Sequence, residues 1–191
     1  MTAEGKYKVC APLGRSRLRD RLTVFGPVFK RLTVTAFALA GYAGPALSCD
    51  GTVLLACDIA GRNARLETCL TGDQVTYRFG PPDAPELTLT QSVRDVGHRP
   101  WPGIGRSVWH DVSFVVGDIR YAVHLSIDKL SEPPGEVSGG VTVTRKDETL
   151  ADLTCKPGSI IGAGDPSPVF EAKRAAGQEF DRQTGQWRDL R

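Results

Sequence analysis

From Cys49 onward the chain alternates apolar and polar residues. In the stretch Gln74 to Phe79, Val75, Tyr77 and Phe79 are apolar while Gln74, Thr76 and Arg78 are polar. That period of two turns one face of a strand to a core and the other to water. The same pattern, broken by turn residues, predicts about eight strands: Val53–Asp58, Arg65–Leu70, Gln74–Phe79, Glu86–Val93, Val108–Val116, Ile119–Ile127, Val141–Arg145 and Leu150–Cys155. Ile119–Ile127 is the clearest, with Ile119, Tyr121, Val123, Leu125 and Ile127 on one face. Gly117-Asp118 reads as a two-residue hairpin connection with Gly in first place, as a type II′ turn wants. Short connections imply an antiparallel meander. Strands with one apolar face each must form a small antiparallel barrel or a two-sheet sandwich. The fold class is therefore all-β, and the barrel is the preferred form because a closed sheet leaves no free edge.

The pattern fails in three places. Residues 94–106 are irregular and rich in Gly and Pro. Residues 129–140 form a Pro/Gly/Ser/Glu loop. From Gly162 the composition becomes that of a linker, and 162–191 balances five Lys/Arg against five Asp/Glu. A short helix fits Pro168 to Ala176, but the segment as a whole reads as a flexible tail.

Upstream of Cys49 the chain has another character. Lys30-Arg31 precede an apolar run, 32–48, which ends on Ala46-Leu47-Ser48. A positive start, a short apolar middle and small residues three and one places before a cut describe an export signal. Two other readings stay open. Cys49 as a lipidated N-terminus would usually have Leu three places earlier, where this chain has Ala46. An uncut membrane anchor would want about 20 apolar residues. Residues 1–48 form a leader, 49–161 a disulfide-stapled β-domain and 162–191 a tail.

Removing the leader changes the charge. Residues 1–48 hold eight Lys/Arg and two Asp/Glu, so sixteen basic and twenty acidic residues remain. A mildly acidic domain without a basic cluster argues against a nucleic acid as partner. A membrane is a partner only if the leader stays uncut or Cys49 is lipidated. The 143 residues from Cys49 suit one domain. Four cysteines remain, Cys49, Cys57, Cys69 and Cys155, and an even number in an exported chain reads as two disulfides. Cys57 and Cys69 are equidistant from Asn63. If the first hairpin turns there they face each other, which leaves Cys49 for Cys155. The other two pairings stay open.

Candidate chemistry is sparse. His98, His110 and His124 are far apart in sequence, and single hydrogen-bonded histidines are their plain reading. No zinc spacing occurs, and no metal or cofactor is expected. His110-Asp111 beside Ser107 or Ser113 suggests a triad but has no nucleophile turn around it. No phosphate loop or dinucleotide fingerprint is present. The segment from His98 to Trp109 stands out. His98, Arg99, Trp101, Arg106 and Trp109 combine the side chains that most often anchor partners with prolines that limit the loop's freedom. The plainer reading is that Trp101 closes one end of the barrel.

Cys57 and Cys69, the run Val75-Thr76-Tyr77-Arg78-Phe79-Gly80, Pro85-Glu86-Leu87, Gly139-Gly140-Val141-Thr142-Val143 and Leu153-Thr154-Cys155 together resemble a group of uncharacterised small exported β-domain proteins of proteobacteria. The resemblance spans about residues 49–158 and implies export and a cysteine-stapled β-domain, with no activity attached. In size and strand content the chain is also similar to the periplasmic lysozyme inhibitors, which are small β-barrels. It lacks their inhibitory loop motifs, so that similarity is architectural.

A non-enzymatic module binding a periplasmic or extracellular protein or glycan is the expectation. A structural envelope protein without a discrete ligand, or an inhibitor of a cell-wall hydrolase, are the alternatives. N-terminal sequencing of protein from its native host should find a chain beginning at or beside Cys49. An intact Met1 on cytoplasmic protein would overturn the export reading.

Overall fold

The computed structural model describes residues 49–132, 135–146, 148–162 and 167–190. The leader, its signal segment and part of the 162–168 linker lie outside the described residues. In chain order the strands are β1 (Thr52–Asp58), β2 (Arg65–Thr71), β3 (Gln74–Gly80), β4 (Leu87–Ser92), β5 (Gly97–Arg99), β6 (Ser107–Val116), β7 (Ile119–Asp128), β8 (Glu136–Arg145), β9 (Glu148–Thr154) and β10 (Ile161–Gly162). Helix α1 (Pro168–Ala175) and a hairpin of β11 (Gln178–Asp181) and β12 (Gln186–Asp189) follow. Among the described residues no helix is long and apolar enough to cross a membrane.

The strands make two antiparallel five-stranded sheets, ordered β10-β1-β2-β3-β4 and β5-β6-β7-β8-β9. Both contribute to one core. Leu55, Leu66, Val75 and Tyr77 come from the first sheet, and Val112, Phe114, Val123, Leu125 and Val141 from the second. The Tyr77 ring lies 5.6 Å from the Phe114 ring and 5.6 Å from the Tyr121 ring, in tilted contacts. Such aromatic pairs add to the burial of their area. The expected two-residue connection is present: Val116 pairs with Ile119, and Gly117 has φ +60°.

The fold is a sandwich, and the preference for a closed barrel is corrected. The chain changes sheet twice. Between β4 and β5 it turns through 93–96, where Val93 and Val96 are both buried. After β9 it crosses back, with Ile59 bridged to Cys155 and the Lys156 N–H donating to the Asp58 carbonyl at 2.7 Å. The first sheet ends on β10 and β4 and the second on β5 and β9, so no strand pair closes a ring among the described residues.

The cysteine pairing also differs from expectation. The bonds are Cys49–Cys69 and Cys57–Cys155. The first hairpin pairs Cys57 with Leu66 and Asp58 with Arg65, with an irregularity between Val53 and Leu55. Its centre lies between Gly61 and Arg62, not on Asn63. That displacement puts Cys57 on the core face with Leu66, while Cys69, three residues on from Leu66, points to the other face. Cys69 therefore meets Cys49 on the outside of the first sheet. Cys57 meets Cys155 at the seam between sheets, with Cα atoms 5.7 Å apart. Close packing at the seam explains two glycines. A Cβ on Gly139 would stand 2.9 Å from the His124 carbonyl oxygen, and one on Gly140 2.2 Å from that of Leu153.

Among its described residues the tail, whose composition reads as flexible, forms a helix and a hairpin. Pro168 sits in the first turn of α1, where its missing N–H costs nothing. Val169 and Lys173, four apart on one helix face, are both buried. The β11–β12 hairpin carries Phe180 opposite Trp187. Trp187 reaches β5, its Nε1–H donating to the His98 carbonyl at 2.8 Å.

Non-reducing peptide mapping should recover Cys49–Cys69 and Cys57–Cys155. Separations of 20 and 98 residues imply about 3 and about 4.7 kcal/mol in the chain-entropy model, so Cys57→Ala/Cys155→Ala should destabilise more than Cys49→Ala/Cys69→Ala in urea unfolding. The reverse order would count against the seam bond as the main staple.

Candidate functional site

The segment from His98 to Trp109 lies at one end of the second sheet, held by local ion pairs. Arg99 on β5 stands opposite Asp111 on β6. Its Nη2 is 2.7 Å from Asp111 Oδ2, and its guanidinium lies 5.0 Å from the centre of the Trp109 ring. Arg106, at the far end of the loop, forks onto the Asp128 carboxylate with contacts of 2.7 to 2.9 Å. The hydrogen bonds from Arg106 hold that carboxyl below its ordinary range. Between these clamps Trp101 donates from Nε1 to the Ile104 carbonyl at 2.8 Å, and Lys129 Nζ lies 4.9 Å over its ring. Such contacts hold a cation against an indole face.

The loop does not stand alone. The tail packs alongside it, and Arg182 in the β11–β12 turn donates to the Pro102 carbonyl at 3.3 Å. Between loop and tail is a cleft of about 260 Å³. Trp101, Trp109 and Phe170 supply its aromatic lining. His110, Ser167, Glu171 and Arg182 supply its polar groups. Ser167 is only 4 % exposed, and its Oγ has no hydrogen-bond partner among the described residues. Glu171 has a loose surface contact with Arg174 at 3.7 Å, of the kind that contributes little.

The five residues singled out by sequence therefore divide. Trp101 and Trp109 line the cleft. Arg99 and Arg106 brace the loop from outside it; Arg106 stays 63 % exposed at its side chain. His98 is a correction, because it is buried at 5 % exposure and offers nothing to a partner from solvent. The tail residues Phe170, Glu171 and Arg182 were missed, having been read as part of a flexible segment. The signal available was the presence of Phe170, Phe180 and Trp187 in an otherwise polar stretch. Large aromatics are seldom placed where nothing covers them.

His98 ties loop, sheet and tail together. Its Nδ1–H donates to the Asp111 carbonyl at 2.7 Å, so the neutral ring keeps its lone pair on Nε2, which has no partner among the described residues. Trp187 stacks on the ring at 6.1 Å and 21°, and His110 meets it edge-on at 6.1 Å. Burial pushes the imidazole down to about 4; the hydrogen bond to the Asp111 carbonyl opposes this, and His110 and Lys173 add to it. Lys173 is itself buried and pushed down to about 8 by desolvation. Its Nζ donates to the Arg94 carbonyl and to Gln178 Oε1, both at 3.3 Å, and lies 5.4 Å over the Trp187 ring.

Chemically the cleft combines aromatic, charged and hydroxyl side chains. His110 faces inward with His98, whereas Asp111 points to the other side of β6, so this adjacent pair does not form the base and orienting carboxylate of one triad. No group of three or more His, Cys, Asp or Glu that could hold a metal occurs among the described residues. No family model, curated protein or solved structure matches this chain, so the resemblance to small exported proteins rests on its sequence motifs alone.

Burial of neutral His98 makes stability depend on pH with a definite sign. The unfolded ring takes up its proton near 6.5 and the folded ring only near 4. Stability should be full above about pH 6.5 and fall by about 3 kcal/mol as pH drops to 4. Urea midpoints measured across this range should show that slope in the wild type and lose it in His98→Phe. An equal slope in both proteins would place the titrating group elsewhere.

Proposed function

We propose that this chain is an exported, non-enzymatic β-domain, periplasmic or secreted, that binds an envelope protein or glycan through the cleft between the 98–109 segment and α1. The observation that carries this reading is the pair of indoles, Trp101 and Trp109, held at a solvent-accessible cleft by neighbouring cations. Rigid aromatic side chains bind at small entropic cost, because little of their freedom is left to lose. The two disulfides suit an oxidising compartment. Binding needs only anchors on a rigid support, and the pairs Arg99–Asp111 and Arg106–Asp128 brace this loop.

Immobilised wild-type protein, exposed to solubilised envelope of the native host, should retain a partner that Trp101→Ala does not. Val116→Ser, at the exposed β6–β7 turn, should retain it unchanged. Matching melting curves would establish that all three proteins are folded. If wild type and Trp101→Ala retain the same set, the cleft is not the binding site.

A further inference from the structure

The lining of the cleft narrows the chemistry of its occupant. It carries one carboxylate, Glu171, and one guanidinium, Arg182. A strongly anionic ligand meets the first unfavourably and a cationic one the second, so the balanced pair favours a neutral molecule. A wholly apolar ligand would leave the Glu171 carboxylate facing hydrocarbon, which is costly. Trp101, Trp109 and Phe170 line the cleft, and aromatic faces attract polarised C–H groups. The remaining requirement is size. The volume of about 260 Å³ falls just below the roughly 300–1,000 Å³ of clefts that hold drug-sized ligands, so it accepts a single ring and not a chain.

A neutral ring with C–H groups on one face and hydroxyls around its rim satisfies all of these conditions. We propose that the cleft between Trp101, Trp109 and α1 is a seat for one neutral pyranose ring of a glycan, stacked on indole, with hydroxyls bonded to Glu171 and Arg182. The site rests on the binding reading above and commits it to a saccharide instead of a protein. Glu171 accepts from two neighbouring hydroxyls, as a carboxylate's two oxygens allow. Arg182 donates from nitrogens other than the one engaged with Pro102. Affinity for one ring should be weak, and it gains strength when several rings of a polymer meet several copies of the protein.

Intrinsic fluorescence offers a direct test, because two of the three tryptophans line the cleft and Trp187 is stacked on His98 instead. The full chain, with its disulfides intact, is titrated with glucose, galactose, mannose and N-acetylglucosamine, with short oligomers of glucose and N-acetylglucosamine, and with glucuronic acid and glucosamine as charged counterparts. At least one neutral sugar should change the emission saturably and more tightly than its charged counterpart. Glu171→Gln, on the exposed side of α1, should weaken that sugar about tenfold, the effect of losing a hydrogen bond to a charged acceptor. Trp101→Ala should abolish the response, while Arg145→Ala, outside the cleft, should leave it unchanged. No saturable response to any of these sugars, a preference for a charged one, or unaltered binding in Glu171→Gln and Trp101→Ala would each overturn the saccharide seat. If envelope capture is lost in Trp101→Ala and yet no sugar binds or competes, the binding reading stands and only the saccharide falls.

Discussion

Cys57 stands opposite Leu66 in the first hairpin, and the rest of the molecule depends on that register. It sends Cys57 into the space between the sheets and Cys69 to the outside. The inward cysteine reaches Cys155 at the corner where β9 ends, so the seam bond joins the two sheets near the point where the chain crosses between them. A slip of β2 by one residue would turn Leu66 outward and point Glu67 at the core. The buried Tyr77, Phe114 and Val141 pack in the core that the two sheets share.

The second sheet then works as a platform. Its short edge strand β5 leaves a ledge, and the tail covers it. Trp187 bonds to the His98 backbone and stacks on its ring. Phe170 and Phe180 each lie 5.3 Å from Trp187. Arg94 contributes hydrogen bonds to Ala176 and Asp189 from the loop before β5. The aromatic cluster keeps α1 beside the 98–109 segment, and this placement turns one exposed loop into a two-sided cleft.

Much of this could be read from the residues. Strict alternation in Gln74–Phe79 and Ile119–Ile127 put the right side chains inward, and Gly117-Asp118 marked its turn correctly. Trp101 and Trp109 stood out by residue type, and both line the cleft. Register was not recognisable, because alternation says which residues share a face but not where a turn of several residues is centred. The irregularity at Val53–Leu55 further blurs the relation of Cys57 to its surroundings. β5, β10, β11 and β12 have only two to four residues each, too few to show a period. The tail's order depends on contacts with distant residues such as His98 and Arg94, to which a local reading of its polar composition is blind.

The two disulfides are interlocked along the chain, since Cys57 falls between Cys49 and Cys69 while Cys155 lies beyond both. No single cut of the backbone between Cys49 and Cys155 can therefore release a fragment: each gap is spanned by at least one sulfur bridge. Exposed points such as Ile104 and Leu130 can be nicked by a protease without the domain coming apart. The tail after Cys155 has no such insurance. One cut between β10 and α1 would leave Phe170, Glu171 and Arg182 held to the sandwich by non-covalent contacts alone. In a protease-rich compartment, the scaffold would thus outlast the site it carries.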